Sequence, residues 1–154
     1  MYKNILVAID DSETSACALK EALHIAKGSG AKLYICHVAD ETLMGMHGRT
    51  FTTSLNIDNA LKAIADAGRA LLDEAIKSAD GVDAETVLLE ARNRRVSETI
   101  ADKAKELGID LIIIGRHGQR GLATLILGSV AEQLAKIADA SVLLVRSGSC
   151  SRWL

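Results

Sequence analysis

The sequence predicts a three-layer α/β sandwich built on a five-stranded parallel sheet. Two observations carry this expectation. Five short apolar runs, residues 5–9, 33–38, 86–89, 111–114 and 142–145, alternate with segments of helical spacing. Four of those runs are rich in β-branched residues and apolar on both parities, as a strand buried on both faces requires. The order is β-α-β-α-β-α-β-α-β throughout. Strands separated by helices cannot pair as hairpins, so they pair in parallel through right-handed crossovers, with helices on both faces.

Taken in order, the first run leads into a helix marked by Ala16, Leu19, Leu23 and Ala26, and Gly28 and Gly30 follow it as C-terminal caps. After the second run comes the longest loop, about 39–56, which holds Met44, Met46, His47 and Arg49. A loop of that length in a compact domain is usually functional or mobile. Leu61, Ile64, Ala67, Leu71 and Ala75 space the second helix, with Gly68 inside the pattern as an exception and Gly81 after it. Val96, Ile100, Ala104 and Leu107 mark the third helix, closed by Gly108, and Val130, Leu134 and Ile137 mark the fourth. Proline is absent, so the turns rely on glycine and short polar residues.

A chain of 154 residues fits one domain, 1–147, with a short tail at 148–154. Its net charge of -2 and its 3% aromatics supply neither a broad basic face nor stacking platforms for nucleic acid. Cys17, Cys36 and Cys150 show no paired spacing, so neither a disulfide framework nor a zinc knuckle is expected, and free thiols fit a reducing compartment. The N-terminal apolar run is too short for a signal peptide, and no stretch approaches the roughly 20 apolar residues of a membrane helix. The expected address is the cytoplasm.

In open parallel sheets, ligands bind beyond the carboxyl ends of the strands, where strand order reverses. Two segments form the rims of such a crevice: residues 9–12 after strand one and 115–118 after strand four. The latter reads Gly115-x-x-Gly118, nine residues, then Gly128-Ser129 at the start of helix four. Glycines let backbone amides approach phosphate oxygens, and the open amides near Ser129 and Val130 add hydrogen bonds and a helix dipole. Arg116, His117 and Arg120 bring donors or positive charge nearby. A glycine pattern this short can equally serve sharp turns, but its place between strand and helix favours phosphate. On the other rim, the Asp10 carboxylate would repel phosphate, so within a nucleotide site it should face ribose hydroxyls. Asp10 could instead cap helix one, a task that Asp11 or Ser12 suits better.

The spacing Gly115-x-x-Gly118-x9-Gly128-Ser129 resembles the ATP-binding signature of the universal stress protein family. Residues 4–12, Asn-Ile-Leu-Val-Ala-Ile-Asp-Asp-Ser, resemble that family's opening strand and turn. Residues 33–38, ending His37-Val38, and 110–115, Asp-Leu-Ile-Ile-Ile-Gly, are similar to its second and fourth strands. The resemblance runs to about Arg146. It implies an adenine-nucleotide-binding, Rossmann-like fold, a homodimer, and ATP as ligand, with or without Mg2+. The dimer is expected through the last strand, whose apolar edge Val142-Leu143-Leu144-Val145 no charge or proline guards. The resemblance further implies that Asp10 contacts the ribose and that Val38 meets the adenine through its backbone. Gly115, His117, Gly118, Gly128, Ser129 and Val130 are implied around ribose and phosphates. One departure is visible: where the family commonly has proline before the last strand, this chain reads Ala140-Ser141-Val142.

Other candidates carry less. Arg92, Arg94 and Arg95 cluster after strand three and read as a solvated face or an anion contact. Met44-x-Met46-His47 lacks the further ligands a soft-metal site needs. His24 and His37 read as structural, and Cys36 as a small core residue. No nucleophile elbow, zincin motif or Walker loop occurs. The expected function is therefore a nucleotide-dependent regulator of the stress response, with slow ATP hydrolysis as the enzymatic alternative. A phosphorylation-controlled receiver shares the element order, but it needs an Asp at the end of strand three, where this chain has Leu89-Glu90-Ala91, and a Lys at the end of strand five, where it has Arg146.

Overall fold

The computed structural model describes residues 1–41, 54–116 and 127–148. Nine elements follow in the expected order: β1 (Asn4–Ala8), α1 (Glu13–Ser29), β2 (Lys32–Ala39), α2 (Ser54–Ile76), β3 (Ala84–Glu90), α3 (Val96–Glu106), β4 (Leu111–Gly115), α4 (Ser129–Ile137) and β5 (Ser141–Val145). The five strands form one sheet, all parallel, in the order β3-β2-β1-β4-β5. β1 is central: Ile5 stands opposite Leu33 on one side and Leu111 on the other.

Successive side chains of a strand point to opposite faces, so an apolar run buries two layers at once. Ile5, Val7, Leu33, Ile35 and Ile113 pack under Ala18 and Ala22 of α1 and Leu72 of α2. Leu6, Cys36 and Ile112 pack on the other face under Ile100 and Ala104 of α3 and Leu134 of α4. The result is the three-layer sandwich expected from the sequence.

Element ends follow local chemistry. Ser12 caps α1 by accepting a hydrogen bond from the Ser15 N–H, and Glu13 favours the positive end of the helix dipole. The helix stops at Gly30, whose φ of 69 is left-handed and whose N–H returns to the Ala26 carbonyl. Gly28, expected beyond the helix, lies within its last turn. β3 is longer than its apolar run because it is an edge strand, where Glu85 and Glu90 can face water. Most of the long loop, residues 42–53, lies outside the described residues, as does the expected tail beyond Gly148. No helix among the described residues is long and apolar enough to cross a membrane.

Candidate functional site

Strand order reverses at β1, and the β1 ladder breaks off there on both sides. Ile9 donates its N–H to the Cys36 carbonyl at 2.8 Å. Continuing the parallel ladder would next bring the Val38 N–H to the Ile9 carbonyl. That carbonyl instead accepts from His37 Nδ1 at 2.7 Å. On the side facing β4, the Asp10 N–H donates to Ser15 Oγ at 2.7 Å. Two side chains thus replace the neighbouring strands, and β1 peels away from both. Val38 follows Cys36 by two residues and shares its main-chain direction, so its amide and carbonyl face the space β1 has vacated.

That space is part of a cavity of about 790 Å³, bordered by the turn after β1, the ends of β2 and β4, and α2, α3 and α4. The volume lies within the range of small-ligand pockets, roughly 300–1,000 Å³. Cys36 forms part of its wall, and burial pushes that thiol up to about 12, so it is an uncharged, apolar surface. At the rim, Asp10 Oδ1 accepts the Ser12 N–H at 2.8 Å. The carboxylate shapes the turn while Ser12 caps α1, as the sequence favoured, and Asp10 keeps further acceptor capacity towards the cavity.

The opposite rim is the start of α4. Gly128 stands at the N-cap, so no side-chain oxygen caps the helix, and the open amides of the first turn border the cavity. The Gly128 N–H donates to the Arg116 carbonyl at 2.8 Å, which ties the two ends of the intervening segment together. Gly115 answers a packing demand as well as lining the cavity. A Cβ there would lie 2.9 Å from Thr14 Oγ1 and 3.0 Å from the Thr14 carbonyl carbon, so glycine lets the first turn of α1 lie against β4.

Asp10, Val38, Gly115, Gly128, Ser129 and Val130 therefore border one cavity. His117 and Gly118 lie outside the described residues, as do Arg120 and the Met44, Met46, His47 and Arg49 group. Arg92 pairs with Glu90 at 3.1 Å and Arg94 with Asp102 at 2.6 Å, all with exposed side chains, which fits the solvated face. Among the described residues no three His, Cys, Asp or Glu side chains converge on a metal position.

Several wall residues escaped the sequence reading. Val96 and Ile100 read only as helical spacing on α3, and Ser15 drew no reading at all. Gly68 did leave a signal, as a glycine inside a helical pattern. A Cβ on it would lie 2.9 Å from both His37 Cδ2 and Leu88 Cδ1, so it lets α2 close on the sheet beside the cavity. The expectation that all cysteines stay thiols is corrected at Cys17, which is disulfide-bonded. Cys36 is a buried free thiol. No local spacing announced the bond, and cysteine usage therefore does not argue for a reducing compartment.

Comparison with known proteins agrees with this architecture. The sequence model of the universal stress protein family matches residues 1–146. A Bacillus subtilis relative, universal stress protein YxiE, is 36% identical over 151 residues, covering 95% of this chain and 100% of that protein. A universal stress protein solved in complex with cAMP is 25% identical with a TM-score of 0.68, over 95% of this chain and 98% of that one. A universal stress protein from Archaeoglobus fulgidus, in complex with dAMP, is 25% identical with a TM-score of 0.56, over 94% of this chain and 98% of that one.

Proposed function

Because the chain belongs to the universal stress protein family, we propose that it binds an adenine nucleotide, ATP foremost, in the crevice around β1, and that it acts as a nucleotide-dependent regulator in the stress response. One observation carries the reading: a single cavity is bordered at one end by the uncapped N-terminus of α4 and at the other by the outward main chain of Val38. A helix start without a cap offers amides and a positive dipole end to phosphate. A free strand amide and carbonyl offer the complementary pair that a base edge needs. The complexes of related proteins with cAMP and dAMP support an adenine ligand.

In this reading Asp10 accepts from ribose hydroxyls, Val38 meets the base, and Gly115, Gly128, Ser129 and Val130 surround ribose and phosphates. His117 and Gly118 join that set from the sequence pattern. Mg2+, where it accompanies ATP, would be held by the phosphates. The protein works as a homodimer joined through β5, whose outer edge pairs with no other strand of this sheet. A cytoplasmic site suits a ligand held there at high concentration, and cell fractionation tests it.

The test of the nucleotide reading starts with freshly purified protein, acid-released and assayed for bound nucleotide. Near-stoichiometric adenine nucleotide is expected. Asp10→Ala and Gly128→Val should each weaken ATP binding at least about tenfold in calorimetric titration, with unchanged circular dichroism. Unaltered affinity in both folded variants would overturn the site.

A further inference from the structure

His37 stands at the carboxyl end of β2, half-buried, and borders the cavity. Its Nδ1 lies 2.7 Å from the Ile9 carbonyl oxygen. A carbonyl can only accept, so Nδ1 carries the proton of this bond, and in the neutral ring Nε2 keeps a lone pair and no hydrogen. Among the described residues Nε2 has no hydrogen-bond partner. The Cδ2–Nε2 edge of the ring is turned to α2 at Gly68, where a Cβ would lie 2.9 Å from Cδ2 and 3.5 Å from Nε2. Glycine at that position lets α2 lie close beside the ring, and His37 and Gly68 both border the cavity.

The bond to Ile9 has a second effect. It occupies the carbonyl that the ladder would have offered to the Val38 N–H, so one histidine frees the Val38 main chain and borders the same cavity. We propose that His37 is a specificity-determining residue: Nε2 accepts a hydrogen bond from the exocyclic amino group of a 6-aminopurine nucleotide, and the site thereby rejects 6-oxopurines. This inference rests on the nucleotide reading above and goes beyond it, since that reading gives the base only the Val38 main chain and no side-chain contact. Adenine offers two N–H donors at its 6-position, enough for the Val38 carbonyl and His37 Nε2 together. Hypoxanthine and guanine place an oxygen there, and its lone pairs would face the Nε2 lone pair with no proton between them.

The experiment compares ATP with ITP, which differ at this position, by calorimetric titration of the whole chain. The native protein should prefer ATP at least about tenfold. His37→Phe keeps a flat ring and removes the acceptor. It should weaken ATP binding about tenfold while leaving ITP nearly unchanged, so the preference falls about tenfold. An unchanged ATP-to-ITP ratio in folded His37→Phe overturns the proposal. Loss of the Ile9 bond could unfold that variant, so a second measurement uses the native protein. The 15N resonance of His37 Nε2 should move upfield from the position of a bare acceptor nitrogen when ATP saturates the site. No movement at saturation overturns the proposal as well. Native protein that binds neither nucleotide removes the nucleotide reading and this inference with it. Native protein that binds ATP and ITP equally leaves nucleotide binding through the phosphates standing and removes the adenine-specific contacts, the role of His37 with them.

Discussion

Gly115 has so little room that a single methyl group tests it. An added Cβ meets Thr14 at 2.9–3.1 Å, and Thr14 belongs to the capped first turn of α1 and is itself buried. Relief requires α1 to move, since the Thr14 backbone cannot step aside alone. Gly115→Ala should cost about 1–3 kcal/mol in urea denaturation and weaken nucleotide binding, because Asp10 and Ser12 ride on the displaced turn. Cys36 makes a different prediction. Burial raises its pKa from 9.0 to about 12, so between those values the unfolded chain loses a proton that the native state keeps. Stability should therefore be unaffected below pH 9 and fall above it by about 1.4 kcal/mol per unit relative to Cys36→Val. Urea unfolding of both proteins at pH 8 and pH 10.5 checks this, and parallel pH dependence would contradict it. At this scale the sequence was legible where one residue type has one local job, as at the Ser12 cap. It was less legible where a residue answers two demands. His37 reads as structural because it is structural through Nδ1, and nothing in a one-dimensional pattern reports what its other nitrogen faces. Gly68 and Gly115 likewise need glycine for partners far away in the chain.

β5 shows what a single strand's parity can decide. Ser141 donates to the Asp110 carbonyl and the Val145 carbonyl accepts from Arg116, so residues 141, 143 and 145 turn their main chain to β4. Val142 and Leu144 therefore present theirs to the open edge. Proline at an edge position whose N–H points outward removes only that outward donor. Leu144→Pro should consequently leave the sheet intact by circular dichroism and convert the proposed dimer to monomer in analytical ultracentrifugation. A wild-type protein that is monomeric at all workable concentrations would refute the dimer. The strands themselves were readable because β1, β2 and β4 are covered on both faces and must be apolar on both. β3 was read short, since an edge strand tolerates Glu85 and Glu90 and its ends lose the hydrophobic signal. The glycine signature was readable as a spacing, whereas the break in the β1 ladder depends on Ser15 and His37, which no spacing singles out.

The molecule as a whole places its first strand in the middle of its sheet. That arrangement puts the crevice at the reversal of strand order, where two loops diverge and a ligand can sit between them. It also means that the central contacts are remote in sequence: the hydrogen bond from the Asn4 N–H to Asp110 spans 106 residues. Closing β4 onto β1 is then the costly step of folding, because the chain between them must be ordered before the pairing stabilises anything. With no proline in the chain, slow peptide-bond isomerisation contributes no competing phase. Refolding from urea, with the disulfide intact, should therefore show the same slowest rate with and without a prolyl isomerase. Acceleration by the enzyme would contradict this account.

During synthesis the consequence is more severe. The first strand leaves the ribosome early and soon finds β2, yet its other flank stays bare until residues 111–115 have emerged. For most of its translation the nascent chain carries a hydrophobic ribbon with an open hydrogen-bonding edge. Such a ribbon recruits any extended segment within reach, including the same strand on a neighbouring chain of one polysome. The vulnerable moment ends when β4 arrives and takes the edge for itself.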